Sequence, residues 1–380
     1  MITDDNKKLA QWAMEYALKN GCQAAKLVLY TNSNSSFELR DGKMDRLQQS
    51  TENGLGLNLY VDGRFGSFST NRLDKKELET LITNGIESTR YLAVDESRML
   101  ADPARYYKGG KPDLQLFDKK LYEVNPDDKV AIARAAAEEV LGKDERIISV
   151  DSSYSDGEGS SYRLISNGFE GESKSTWFSV SASVSIKGEG EARPQDYWYD
   201  SALFYDKLTK TGIGAKALER VLRKLGQKKA KSGKYTMVVD PMNVGNLLSP
   251  MLSALYGSAL QNSFLMDKLD TKVASDLFTL RDEPHAIGAN GSRYFDNEGV
   301  ATEPRTVFDK GVLKTYFIDT YNGKKMDIAP TISAPSRLIL TPGDKDLNGL
   351  VADIKQGILV TGFNGGNSNS STGDFSYGIE

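Results

Sequence analysis

Apolar residues recur at three- and four-residue intervals at Leu9, Trp12, Ala13, Tyr16 and Ala17. That spacing makes one face of a helix, with Thr3 or Asp4 placed to cap it and Gly21 to stop it. The pattern then changes to strands over 26–30, 37–40 and 44–47. The last two flank Asp41-Gly42, a dipeptide suited to a two-residue type I′ turn, in which both central residues take positive φ. A second hairpin is expected around Asp62-Gly63, where Leu55, Leu57, Leu59 and Val61 alternate with smaller or polar residues and so mark one buried face. A helix over about 73–92 closes this unit.

Residues 94–124 hold Pro103, Gly109-Gly110 and Pro112 with little periodicity, as a long connection would. The next helix carries nearly every boundary signal: Asn125 to cap, Pro126 at the first position, Asp127 and Asp128 on the positive end of the dipole, and Gly142 beyond the end. Strands follow over 147–154 and 160–166, then past Asn167-Gly168, read as another hairpin turn. Phe178, Val180, Ala182, Val184 and Ile186 alternate with serines, which predicts a sheet with one apolar and one polar face. A helix over 216–225 ends this stretch. The order helix, hairpin strands, helix thus occurs in about 1–95 and again in about 125–230, two units of like order whose common origin the sequence leaves open.

From Tyr235 the pattern is a short strand over 235–239, a helix begun by Ser249 and Pro250 and ending near Leu260, and short strands over 277–280, 312–319, 337–340 and 358–363. The expected fold class is α+β: an N-terminal α/β domain over 1–230, with antiparallel hairpins and flanking helices, and a C-terminal β-rich domain over 231–380. Residues 362–373, rich in Gly, Asn and Ser, have the composition of a mobile loop and lack the Gly-Lys-Ser/Thr end of a phosphate loop.

Composition narrows the chemistry. Lys and Arg number 48 against 52 Asp and Glu, a net charge of −4, which disfavours a general nucleic-acid binder. One cysteine, Cys22, and one histidine, His285, allow neither a disulfide within the chain nor a two-histidine metal site. Cys22 reads as a small buried hydrophobe. The N-terminus has no apolar signal core, and no apolar run approaches the ~20 residues of a membrane helix. The cytoplasm is the expected compartment. The basic stretch 220–234 could hold a nucleic-acid backbone or an acidic partner, but it lacks aromatics and reads more readily as a solvated helix end followed by a Lys-rich turn. Asp282, Glu283, Asp296 and Glu298 could be an acid–base or Ca²⁺ cluster, yet Asp296-Asn297-Glu298-Gly299 also suits an ordinary turn, and no calcium-loop spacing is present. His285, without a placed nucleophile or second ligand, reads as a structural or surface residue.

Four stretches resemble the TldD/PmbA family, once described as modulators of DNA gyrase: 37–70, 262–274, 291–326 with its FDNEGVAT block, and 357–378 with TGDFS. The resemblance implies an N-terminal α/β domain, a C-terminal β-rich domain and a heterodimeric metallopeptidase. In such a heterodimer a TldD-type subunit holds zinc through His-Glu-x-x-x-His on a helix, and a TldE (PmbA) type subunit does not. Here the matching positions fall at Ser249, Pro250 and Ala254, none of which can ligate zinc or act as a base. The chain therefore resembles the metal-free branch: no cofactor of its own, zinc only in a TldD-type partner, an unfolded peptide as substrate, and homodimers when alone. Groove or partner contacts are expected at His285, Asp296, Glu298, Thr372 and Asp374. Two departures stand out. Family members usually continue past TGDFS into further strands, so either the chain is naturally short or a C-terminal portion of the domain follows Glu380, and Tyr377 stands where many members carry Arg. The competing expectation is a non-proteolytic regulatory binding protein of the gyrase-modulator type, with the basic segment 220–234 as its contact and Lys228, Lys229 and Lys231 as the cations whose reversal would abolish it.

Overall fold

The computed structural model describes residues 2–227 and 229–380. Those residues form two compact units, one drawn from 1–95, 111–229 and 287–290, the other from 96–110, 230–286 and 291–380. The fold is α+β, as expected.

In the first unit, α1 (Asp4–Lys19), β1 (Ala24–Arg40), β2 (Lys43–Val61), β3 (Arg64–Thr70) and α2 (Lys75–Thr89) are followed by α3 (Pro126–Glu138), β4 (Ile147–Ile165), β5 (Phe169–Ile186), β6 (Gln195–Ala202) and α4 (Ile213–Leu222). The strands make one antiparallel sheet in the order β3-β2-β1-β4-β5-β6. Helix, three strands, helix therefore occurs twice, and the halves join where β1 pairs with β4.

Local signals place the ends of these elements. Thr3 caps α1 in a capping box with Asn6, and the Asn125 side chain accepts from the Asp128 N–H ahead of Pro126. Asp41 and Gly42 have φ of 51° and 76°, and Asp62 and Gly63 have 50° and 72°, as a type I′ turn requires. The hairpin turn expected at Asn167-Gly168 forms as well, but with a three-residue loop. Ile165 pairs with Phe169 across it, and only Gly168, at φ 109°, is left-handed.

Two apolar cores lie under the helices. One joins Leu27, Leu29, Leu55, Leu57 and Leu59 to Ala10, Ala13, Ala17, Leu78 and Ile82. The other joins Phe37, Leu39, Val180 and Val184 to Ala133, Ala136, Ala137, Ala217 and Val221. Between them the central strands turn polar, with Ser35 opposite Asp156 and Ser33 opposite Glu158. This interruption makes the hydrophobic pattern read as separate short strands over 26–30 and 37–40, and over 147–154 and 160–166. Each pair is instead one continuous strand, because neighbours on both sides hold its backbone through the polar stretch. The helices expected over 73–92 and 216–225 form as α2 and α4 with shifted ends.

The second unit contains β7 (Thr236–Val239), α5 (Val244–Ser253), α6 (Gly257–Leu260), β8 (Leu280–Asp282), β9 (Arg305–Asp309), β10 (Val312–Leu313), α7 (Thr320–Met326), β11 (Leu338–Leu340), α8 (Leu347–Ala352), β12 (Gly357–Val360), β13 (Phe363–Ser368) and β14 (Phe375–Ile379). They pair as β10-β9-β8-β11, as parallel β12-β7 and as antiparallel β13-β14.

Three expectations are corrected here. Ser249 and Pro250 do not start the helix. A 3-10 turn at Pro241–Asn243, capped by Asp240, leads into α5 and leaves Pro250 inside it. The rule of proline at a helix start is met by Pro241 instead. The strand expected over 312–319 stops at Leu313, since Asp319 caps α7 through the Asn322 N–H. Residues 362–373 are mostly not a loop. Gly365 and Gly366, at φ 60° and 131°, allow a bulge between Asn364 and Asn367 in the β13-β14 ladder. Cys22 is buried, and burial pushes its thiol up to about 11. Among the described residues no helix is long and apolar enough to cross a membrane.

Candidate functional site

The expected contacts divide into two groups, both in the second unit. His285 Nε2 lies 3.0 Å from Thr302 Oγ1, whose hydroxyl donates to the Arg293 carbonyl at 2.5 Å. With that proton committed, neutral His285 carries its hydrogen on Nε2 and donates it to Thr302. The imidazole also packs 5.0 Å from the Tyr294 ring, which stacks on Tyr107 at 5.2 Å.

Asp296 is 1% exposed and organises the same loop. Its Oδ1 accepts from the N–H groups of Glu298 (2.8 Å) and Val300 (3.0 Å), and its Oδ2 from that of Ser333 (2.9 Å). Gly299, at φ 79°, completes the turn. Glu298 Oε2 accepts from both the N–H and the hydroxyl of Thr320, at 2.9 and 2.8 Å, at the start of α7. Asp282 receives the N–H groups of Ser336 and Arg337, and Arg293 Nη2 donates to the carbonyls of Ala334 and Pro335. Charged side chains thus hold an irregular segment, 331–337, in one conformation. Nothing in the local sequence announces this clamp, because its donors and acceptors lie about 40 to 55 residues apart. Arg305 sits beside it, and burial lowers its pKa from the usual guanidinium value.

Thr372 and Asp374 form the second group, exposed at the β13-β14 turn. The Thr372 hydroxyl donates to Asp374 Oδ2 at 2.8 Å, and the Asp374 N–H returns to Thr372 Oγ1 at 3.3 Å. Tyr377 packs edge-on against Phe363, with ring centroids 5.5 Å apart.

On α5, Ser249 is exposed and Pro250 half-buried, and Ala254, just past the helix end, is fully buried. These side chains offer no imidazole or carboxylate, so the helix does not fit a zinc ion. Among the described residues no three His, Cys, Asp or Glu side chains converge as metal ligands would.

The basic stretch is more committed than its sequence suggests. Arg220 Nε lies 3.2 Å from Asp196 Oδ1 with both side chains 5% exposed, and Lys224 Nζ lies 3.5 Å from Oδ2. The expectation of a solvated end fails for these two cations, because Asp196 on β6 draws them into the sheet. Of the three lysines expected to contact a regulatory partner, Lys228 lies outside the described residues, while Lys229 and Lys231 are exposed.

A polar cluster in the first unit escaped the sequence reading. Lys129, Asp156, Ser35 and Tyr154 bond to one another beneath the sheet. Its one sequence signal is Lys129 standing at the head of the stripe Ala133, Ala136 and Ala137 on α3.

Known proteins match along the same lines. Residues 25–89, 119–225 and 232–380 match domain 1, the central domain and the C-terminal domain of the PmbA/TldA metallopeptidases. A candidate modulator of DNA gyrase from Bacteroides thetaiotaomicron is 72% identical and superposes with a TM-score of 0.97, covering all of this chain and 87% of that one. The metalloprotease PmbA homolog of Haemophilus influenzae is 27% identical over 98% of this chain and 83% of its own. TldE from Thermococcus kodakarensis, 19% identical, shares the fold with a TM-score of 0.81 over 97% of this chain and 86% of its own. This chain belongs to the PmbA/TldD metallopeptidase family.

Proposed function

We propose that this chain is the PmbA/TldE-like subunit, without bound metal, of a heterodimeric TldD/TldE-type metallopeptidase that processes unfolded peptides in the cytoplasm. The observation that carries the reading is α5, where Ser249, Pro250 and Ala254 stand at the positions matched to the zinc motif. The single histidine adds to it, since His285 gives its Nε2 hydrogen to Thr302 within a loop remote in sequence from α5. Zinc and the water it activates would come from a TldD-type partner. In this reading Asp296 and Glu298 hold the loop that carries His285, while exposed Thr372 and Asp374 meet the peptide or the partner directly. An extended peptide could pair with a strand edge, whose backbone hydrogen bonds make few demands on sequence.

The test is co-expression with a TldD-type subunit, followed by sizing, elemental analysis and hydrolysis of an unfolded peptide. The expected result is co-elution, zinc and activity in the complex, and neither metal nor activity in this chain alone. Separate elution, or stoichiometric zinc in the isolated chain, overturns the reading.

A further inference from the structure

Arg305 opens β9 directly opposite Asp282 on β8, so the two side chains share the face of the sheet that meets the clamped segment 331–337. The Arg305 side chain is only 12% exposed, yet its bonding is poor. Nε reaches the Glu303 carbonyl at 3.4 Å, and Nη2 stands 3.7 Å from Glu303 Oε1, beyond hydrogen-bond distance. Burial lowers its pKa, and the charges of Glu303, Asp282 and Asp296 pull the other way. Neither aspartate bonds it. Asp282 takes the Ser336 and Arg337 N–H groups, and Asp296 those of Glu298, Val300 and Ser333.

Two further donors belong to the same place. Arg105 is close enough for its positive charge to act on Arg305, and its one side-chain bond among the described residues goes from Nη2 to the Thr331 carbonyl. Ser333 Oγ, two residues along, is buried and bonds nothing among the described residues, while the Ser333 N–H sits on Asp296. Two neighbouring guanidinium groups are thus left without a hydrogen-bonded counter-ion, beside an idle buried hydroxyl. Buried donors are seldom left so, and a bound anion satisfies all three.

The surrounding charges select among anions. A phosphate dianion would meet Asp282 and Asp296 with twice the repulsion of a monoanion, whereas one carboxylate matches the fork of a single guanidinium. Glu303 marks the solvent side. It is 77% exposed, and its carboxylate stands at the edge of Arg305 without closing on it, a weak competitor for the position a ligand would take. We propose that Arg305, Arg105 and Ser333 form a binding site for one carboxylate group, from a small organic acid or from the C-terminus of a peptide, with Glu303 as a displaceable side chain across it. The inference concerns this chain alone and does not rest on a TldD-type partner, so its failure leaves that reading untouched.

The test is NMR titration of the isolated full chain at constant ionic strength, reading the arginine Nε–H signals, with that of Arg305 assigned by its loss in Arg305→Lys. The probes are acetate, inorganic phosphate at a pH where it is mainly dianionic, and trialanine with a free or an amidated C-terminus. Acetate should bind saturably and move the Arg305 signal, and phosphate should bind more weakly. Trialanine acid that binds more tightly than acetate makes a peptide terminus the source; trialanine acid that fails to displace acetate makes it a small acid. The amide should not bind in either case. Arg305→Lys keeps the charge but loses the fork and should weaken acetate about tenfold. Ser333→Ala should weaken it about three- to tenfold, and Glu303→Gln, at an exposed position, should tighten it about threefold. Arg281→Gln, an exposed neighbour of Asp282, should change nothing. Circular dichroism checks each fold, and Ser333→Ala and Glu303→Gln decide the matter should Arg305→Lys misfold. No saturable acetate binding, phosphate as tight as acetate, amide as tight as acid, or affinity indifferent to both Ser333→Ala and Glu303→Gln overturns the proposal.

Discussion

Lys129 Nζ on α3 lies 2.6 Å from Asp156 Oδ2 on β4, with the two side chains only 10% and 2% exposed. The pair fills the gap between the two apolar cores, where Ser35 and Tyr154 also donate to the carboxylate. Lys129→Met leaves that carboxylate buried without its counter-ion and should cost about 3–5 kcal/mol in urea unfolding. Adding Asp156→Leu should recover most of the loss, since two apolar side chains need no partner. A single variant as stable as the parent would show that solvent reaches the pair.

Helices α3 and α4 touch at Gly214, where an added Cβ would stand 2.0 Å from the Ala136 carbonyl oxygen. Gly214→Ala should therefore lower stability by about 2–3 kcal/mol as the helices are forced apart. Gly245 on α5 meets nothing within 4 Å. Gly245→Ala should be neutral or stabilise by about 0.5–1 kcal/mol, through helix propensity alone. Thermal melts of the two variants should move in different directions.

Asp144 is held down to about 2 by the Arg146 side chain first and the Arg146 backbone N–H second. A folded pKa below the unfolded value means that the contact stabilises above the ordinary carboxylate range and that its contribution is lost as pH falls toward 2. Carboxyl NMR of the folded chain should show this low midpoint. Arg146→Ala, which keeps the backbone N–H, should move it part of the way toward the usual 3.8.

Asp296 and Thr372 should separate structural from functional roles. Asp296→Asn puts an amide where Asp296 accepts three backbone N–H groups and should cost about 1–3 kcal/mol. Thr372→Ala, at an exposed turn, should leave the melting temperature nearly unchanged while lowering peptide hydrolysis in the complex with a TldD-type subunit. Equal loss of activity per unit of stability in both variants would contradict this division.

The legible parts of the fold are those whose cause is local. Asp41-Gly42 and Asp62-Gly63 specify their turns because the backbone there needs positive φ at two successive residues, and Asn125-Pro126 starts α3 because cap and proline act within one turn. Pro250 and the glycines at 365–366 were less legible. Each residue permits several backbone contexts, and the choice between helix start and interior, or loop and bulge, was made by Asp240-Pro241 upstream and by β14 downstream.

Among the candidate site residues, the sequence located the Asp296 turn but not what it holds. The Ser333 partner lies 37 residues away, and the segment 331–337 has no regular pattern of its own. Arg220 reads as a solvated helix-end cation until Asp196, 24 residues earlier, is placed beside it.

The sequence by itself determined the alternation of helices and hairpins, the turn positions, the α+β class and the lack of a second histidine or cysteine for a metal site. These follow from residue type and spacing. Tertiary structure alone decided that polar stretches such as 31–36 continue as strand and that Lys129 and Asp196 are buried with their partners. A polar residue carries no local mark of burial; it can be buried only where a distant segment supplies its hydrogen bonds, and only folding brings that segment there.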